Sequence, residues 1–150
     1  MQTNIRNKLN PASKFLFRGQ DIQTGELVYG SLFDHKGYYP EIITMHPDAD
    51  GKAVYDRVCV NPATLAIWTG VSDCKSRRVF TGDEITIRIG RCRNDDGSFG
   101  WETEYNSKVG DISTAFQIDL PKGSDFDSTS ILWLNEHAYN DFEIELIKKF

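Results

Sequence analysis

Cysteine is scarce in this chain, which holds Cys59, Cys74 and Cys92 and no C-x-x-C pair. An odd, scattered set of cysteines is typical of reduced thiols in a cytosolic protein and not of a disulfide framework. A structural zinc site would need help from His35, His46 or His137, none of which has the paired spacing that such sites use. We therefore expect no metal, no cofactor and a cytoplasmic protein.

Long apolar runs are also missing, so the sequence predicts no segment that spans a bilayer. The first residues, MQTNIRNKLNPASK, include basic side chains but lack the apolar centre of a secretory signal. Pro11 discourages a helix there, and we predict that residues 1–13 form a flexible arm, or a segment ordered by a partner. Apolar residues still make up 39% of the 150 residues, which is enough to bury the core of one domain over 14–150.

The net charge of −5 is unevenly distributed along the chain. Residues 75–93 hold six basic and two acidic side chains, whereas residues 119–145 hold seven acids and one lysine. An acidic chain is a poor candidate for indiscriminate DNA binding, which depends on many phosphate contacts. One basic and one acidic face would instead suit self-association.

Alternating side chains dominate the hydrophobic pattern. Ile85, Ile87 and Ile89 would point one way from a strand whose other face carries Thr86 and Arg88. Similar short strands recur every 8–12 residues, separated by turn signals such as QDIQTGE and NDDGSFG. The pattern predicts a mainly β fold of the α+β or all-β class: a β-meander over 14–59, a small SH3-like barrel over 60–92, and further strands over 93–150.

A helical pattern stands out in ILWLNEHAYND, near residues 130–139. Ile131, Leu134 and Ala138 would share one face at i, i+3 and i+7. We predict one short helix there, followed by a closing strand in FEIELIKKF.

Two blocks of the sequence resemble the YopX-like proteins of bacteriophages and prophages. The first is FRGQDIQTGELVYGSL, and the second is TGVSDCKSRRVFTGDEITI. The matching positions are Phe17, Arg18, Gly19, Asp21, Thr24, Gly25, Val28, Tyr29, Gly30, Ser31 and Leu32, then Thr69, Gly70, Asp73, Phe80, Gly82, Asp83 and Ile85.

The chain departs from the family pattern at three places. Leu27 stands where the family has Trp, Ser76 and Arg77 replace an Asn-Gly turn, and Thr81 replaces an acid. The resemblance implies an origin in a phage or integrated element of a bacterial host. It implies no activity, because the family is uncharacterised.

The basic turn after Asp73 is the first site candidate, with Lys75, Arg77, Arg78, Arg88 and Trp68 as a speculative interaction surface. It could be a phosphate-contacting edge with a tryptophan stacking platform. It could equally be a solvated hairpin tip whose charges protect an edge strand from aggregation. We favour the second interpretation, because isolated surface charges are common.

Turn chemistry accounts for the other conspicuous residues. Gly25, Gly70 and Gly82 are expected in turns that need a left-handed backbone, and Asp83 is expected to cap neighbouring amides. Asp83 could form a carboxylate site with Glu84 or Asp73, but acid catalysis would need a partner placed to share the proton. The sequence nominates none, and we predict no catalytic residues.

These observations favour a non-enzymatic phage accessory protein that binds another protein or its own copies. The alternative is a nucleic-acid-binding module that uses the basic 75–93 segment.

Overall fold

The computed structural model describes residues 15–34, 38–124, 126–137 and 142–150, and antiparallel strands dominate it. The strands are β1 (Phe17–Gln20), β2 (Leu27–Phe33), β3 (Glu41–Pro47), β4 (Ala53–Cys59), β5 (Ala66–Ser72), β6 (Arg78–Phe80), β7 (Glu84–Arg93), β8 (Phe99–Lys108), β9 (Gln117–Asp119), β10 (Ser128–Ser130) and β11 (Phe142–Lys148). In these ranges the one α-helix is α1 (Ile131–His137), and short 3₁₀ turns span Pro62–Thr64 and Ile112–Thr114. The predicted mainly β fold is confirmed. The predicted arm, residues 1–13, lies outside the described residues.

The chain forms two compact units, one up to Trp68 and one from Thr69 onward. In the first unit the strands lie in the order β4-β3-β2-β1, and β1 also pairs with the first residues of β5, at Ile67 and Ala66. Gly30 lets β2 and β3 approach closely, because a Cβ at this position would clash with the carbonyl oxygen of Ile43. Ile42 and Val60 are fully buried there.

The second unit is built on a three-stranded sheet in which β7 lies between β11 and β8. Ile87, at its centre, faces Ile144 on one side and Tyr105 on the other. The predicted alternation holds, since Ile85, Ile87 and Ile144 are buried in one apolar cluster.

Helix α1 adds Ile131 and Leu134 to that cluster, as their i, i+3 spacing predicts. Ala138, the third residue of the predicted face, lies outside the described residues.

The strands of residues 60–92 are divided between sheets. β5 and β6 are neighbours in one sheet, whereas β7 pairs with β8 and β11 in another. The predicted SH3-like barrel over 60–92 therefore stays a prediction. The same holds for the predicted boundaries between meander, barrel and further strands, after residues 59 and 92. Within the described ranges, no helix has the length and apolar character needed to cross a membrane.

Replacing Ile87 with Asp tests the assignment of the sheet faces. Because Ile87 has no solvent exposure, the new carboxylate would be buried without a partner. We expect a loss of about 3–5 kcal/mol in the free energy of unfolding, measured by denaturant titration. The control is Ile147→Asp, the same substitution at an exposed position of β11. Equal stability of the two variants would contradict the assignment.

Candidate functional site

Asp73 organises the basic turn that the sequence singled out. Its buried carboxylate accepts hydrogen bonds through Oδ1 from the backbone N–H groups of Lys75 (3.0 Å) and Arg77 (2.8 Å). Oδ2 accepts from Arg77 Nε (2.9 Å) and from the backbone N–H of Leu146 in β11 (3.0 Å). The turn itself places Ser76 in the left-handed region, at φ 61°. One side chain thus closes the turn and attaches the closing strand to it.

Burial alone would raise the pKa of Asp73. The hydrogen bonds from Leu146, Arg77 and Lys75 outweigh that effect and hold the pKa below its usual value. Asp73 is therefore a stable anion at neutral pH, suited to binding backbone amides and not to exchanging a proton.

Asp83 has a similar role at the next turn. Its Oδ2 accepts from the backbone N–H of Phe80 (2.9 Å), and its Oδ1 accepts from that of Phe150 (3.0 Å). Gly82 beside it has φ 80°, and a Cβ there would lie 2.8 Å from the Phe150 ring. This turn needs glycine for both its conformation and its packing.

The other predicted turn glycines also have positive φ, 76° at Gly25 and 86° at Gly70. Thr69, next to Gly70, donates its hydroxyl to the backbone carbonyl of Val79 (2.8 Å). The three polar residues among the matching positions of the second block, Thr69, Asp73 and Asp83, therefore bind backbone groups.

Acidic side chains surround Arg88, which the sequence assigned to a basic surface. Its guanidinium lies 2.9 Å from Glu104, 2.8 Å from Glu143 and 3.4 Å from Glu145, and 19% of its side chain is exposed. The hydrogen bond with Glu104 is the largest of the effects that raise its pKa above the usual value. This arginine joins β7 to both neighbouring strands.

The remaining members of the predicted surface have different surroundings. Arg77 is paired with Asp73, Lys75 Nζ lies 4.0 Å from Glu145, and Arg78 is exposed at the start of β6. Trp68 belongs to the first unit, where its backbone N–H donates to the carbonyl of Leu16 (2.8 Å). In the basic 75–93 segment, Lys75 and Arg88 are thus matched by carboxylates that are distant in sequence, and Arg77 is matched by the nearby Asp73.

The first unit carries a surface that the sequence analysis missed. Tyr29 and Phe33 on β2, Met45 on β3 and Tyr55 on β4 are each between 37% and 65% exposed. Met45 lies directly opposite Tyr55, and strand alternation puts all four side chains on the same side of the sheet. We call these four residues the aromatic face.

The side chain of Arg57 lies on this side of the sheet and contacts both an aromatic ring and a carboxylate. The Arg57 guanidinium lies 5.4 Å from the centre of the Phe33 ring. Its Nη2 and Nε also contact Glu41 Oε2 at 2.7 and 2.8 Å. An aromatic ring and a carboxylate therefore hold this guanidinium together.

A second group of aromatic and basic residues lies at the far end of the β7–β8 hairpin. The guanidiniums of Arg91 and Arg93 lie 4.5 and 5.2 Å from the centre of the Phe99 ring, which is largely exposed. The cross-strand pairs Arg91–Trp101 and Arg93–Phe99 place these side chains on one face.

Comparison with known proteins identifies no relative: the chain matches no family model, no curated protein and no solved structure. The resemblance to YopX-like proteins therefore stays an interpretation of sequence motifs. In the part of the chain that the structure describes, no cluster of three or more His, Cys, Asp or Glu side chains could hold a metal ion.

Replacing Asp73 with Asn should lower the free energy of unfolding at pH 7 by about 2–4 kcal/mol, because donors in the turn and in β11 lose a buried anion. Because the pKa of Asp73 is lower in the folded state than in the unfolded state, its charge stabilises the fold above the unfolded-state pKa of about 3.9. This contribution to stability is lost as the pH falls through the folded-state pKa. The difference between the two proteins should therefore shrink below about pH 4.

Denaturant melts from pH 7 to pH 2 measure this difference. Asp95→Asn, which removes an exposed carboxylate, is the control and should change stability little. A gap between wild type and Asp73→Asn that stays constant over this range would contradict the role of the charge.

Proposed function

We propose that this chain is a non-enzymatic module that binds another protein or a second copy of itself through the aromatic face. The observation that carries the proposal is the exposure of four large apolar side chains on three adjacent strands. Aromatic residues, Met and Arg are enriched where proteins meet, and a contiguous exposed apolar patch is typical of an interaction surface.

The side of β2, β3 and β4 opposite the aromatic face carries Ile42, which is buried, and Leu32 and Val58, which are half-buried. Exposed aromatic side chains gain little for folding, since stabilisation follows the apolar area removed from water. A bound partner would remove that area.

The resemblance to YopX-like proteins supports an accessory role in a phage or prophage, without adding an activity. The unpaired spacing of Cys59, Cys74 and Cys92, all free thiols in the structure, supports action in the host cytoplasm.

Photocrosslinking from β4 tests this proposal. Tyr55 and Asp56 are both exposed, adjacent in sequence and on opposite sides of the strand. A benzophenone side chain at position 55 should crosslink to a second copy or to a protein of the host extract, because the aromatic face is the contact surface. The same group at position 56 is the matched control. Equal yields from the two positions, or none from position 55, would contradict the proposal.

Sedimentation across a concentration series separates the two kinds of partner. If the partner is a second copy, Tyr55→Ser should weaken self-association by about tenfold or more, as expected for an aromatic residue at the centre of an interface. A wild-type monomer at all concentrations would leave a different protein as the partner.

Nucleic-acid binding is the second candidate function, and the arginines beside Phe99 favour it. Arginine and an exposed aromatic ring are the components with which single-stranded nucleic acid is held by charge and stacking. Asp95, Asp96 and Glu102 lie on the same hairpin and would repel phosphates, which places this candidate second.

Gel shifts with a single-stranded oligonucleotide over a salt series test the second candidate. Binding should weaken as salt rises and should fall further in an Arg91→Ala, Arg93→Ala variant, since phosphate contacts release counterions. Lys52→Ala removes a basic residue elsewhere and serves as the control. Salt-independent binding, or none, would contradict a nucleic-acid role.

A further inference from the structure

A cavity of about 390 Å³ opens on the first unit, lined by Tyr38, Tyr39, Glu41 and Cys59. Glu41 and Cys59 are directly opposite each other in the β3–β4 pair, so both side chains lie on one side of the sheet. Glu41 is also opposite Phe33 in the β2–β3 pair. The cavity therefore lies on the same side of the sheet as the aromatic face.

Pro40 holds the two tyrosines at the cavity. It is buried, and its carbonyl accepts a hydrogen bond from the backbone N–H of Val60 (2.9 Å). A proline also restricts the preceding residue, Tyr39, to extended backbone conformations. Tyr38 and Tyr39 are nevertheless 81% and 58% exposed. These rings line a cavity and contribute little to a core.

The composition of the cavity fits a cationic ligand. Tyrosine rings attract cations through their negatively charged faces, and a carboxylate supplies the counter-charge. The chain itself provides a precedent, because Arg57 is held by Phe33 and by the same Glu41. Arg57 also fixes Glu41 Oε2, while Oε1 lies 3.9 Å from Cys59 Sγ, on the cavity side.

We propose that the cavity binds an arginine or lysine side chain from a basic segment of the partner protein. This inference rests on the proposed function, since it identifies the chemistry that the aromatic face selects. The aromatic face supplies apolar contact area, and the cavity supplies specificity for a positive charge.

A peptide of six arginines separated by glycines is a suitable probe, with the neutral citrulline peptide as its isostere. Fluorescence anisotropy with the full chain should detect the arginine peptide, while the citrulline peptide should bind at least about tenfold more weakly. The double variant Tyr38→Ala, Tyr39→Ala should weaken binding by about tenfold. Cys59→Leu, which fills part of the cavity without adding a charge or an aromatic ring, should weaken binding as well. Phe126→Ala, which removes an exposed aromatic ring that does not line the cavity, is the control and should stay within about twofold of wild type.

Alkylation of Cys59 by iodoacetamide gives an independent readout. The arginine peptide should slow modification of Cys59 and leave Cys92 unchanged, as followed by mass spectrometry. Equal binding of the citrulline peptide, equal losses in Phe126→Ala and the cavity variants, or unprotected Cys59 would overturn the proposal.

The two proposals fail separately. Crosslinking from position 55 without peptide binding would overturn the cation site alone. Peptide binding without crosslinking from position 55 would overturn the proposed protein-binding function alone.

Discussion

A buried carboxylate that binds four N–H groups holds the turn and the closing strand of the second unit in place. Asp73 receives hydrogen bonds from Lys75, from Arg77 twice and from Leu146. A buried anion is stable only when such donors surround it, and the donors in turn need the anion. Sheet β11-β7-β8 depends on this arrangement, because Leu146 belongs to the strand that pairs with β7.

Other polar side chains of the second unit are likewise bound to groups of the protein itself. Asp73, Asp83 and Thr69 are buried and bound to backbone groups, and Arg88 connects acids on both strands beside it. Groups held in this way stabilise a fold and present little reactivity to a substrate. The exposed chemistry lies elsewhere, on the aromatic face of the first unit and in the adjoining cavity.

Much of the fold is predictable from sequence because alternation is a local property. Ile85, Ile87 and Ile89 predict their strand, and Ile131 and Leu134 predict the buried side of α1. The acids around Arg88 are not predictable in this way, because Glu143 lies 55 residues away and strand pairing brings it close. Counting basic residues along the sequence therefore does not reveal that Arg88 is paired with acids.

The aromatic face escaped sequence reasoning for a different reason. Strand β2 carries apolar residues on both sides, with Val28 and Leu32 on one side and Tyr29 and Phe33 on the other. Such a strand reads as buried on both sides, and the sequence does not tell which side is covered. The division of the chain at Trp68 also follows from long-range packing and not from a linker-like composition.

Hydroxyl-radical footprinting of Met45 and Tyr55 tests the central claim most directly, with exposed Phe126 of the second unit as the internal reference. The account predicts that modification of Met45 and Tyr55 relative to Phe126 falls several-fold when the chain is concentrated or mixed with host extract, because a protein covers the aromatic face. An unchanged ratio under all of these conditions would contradict it.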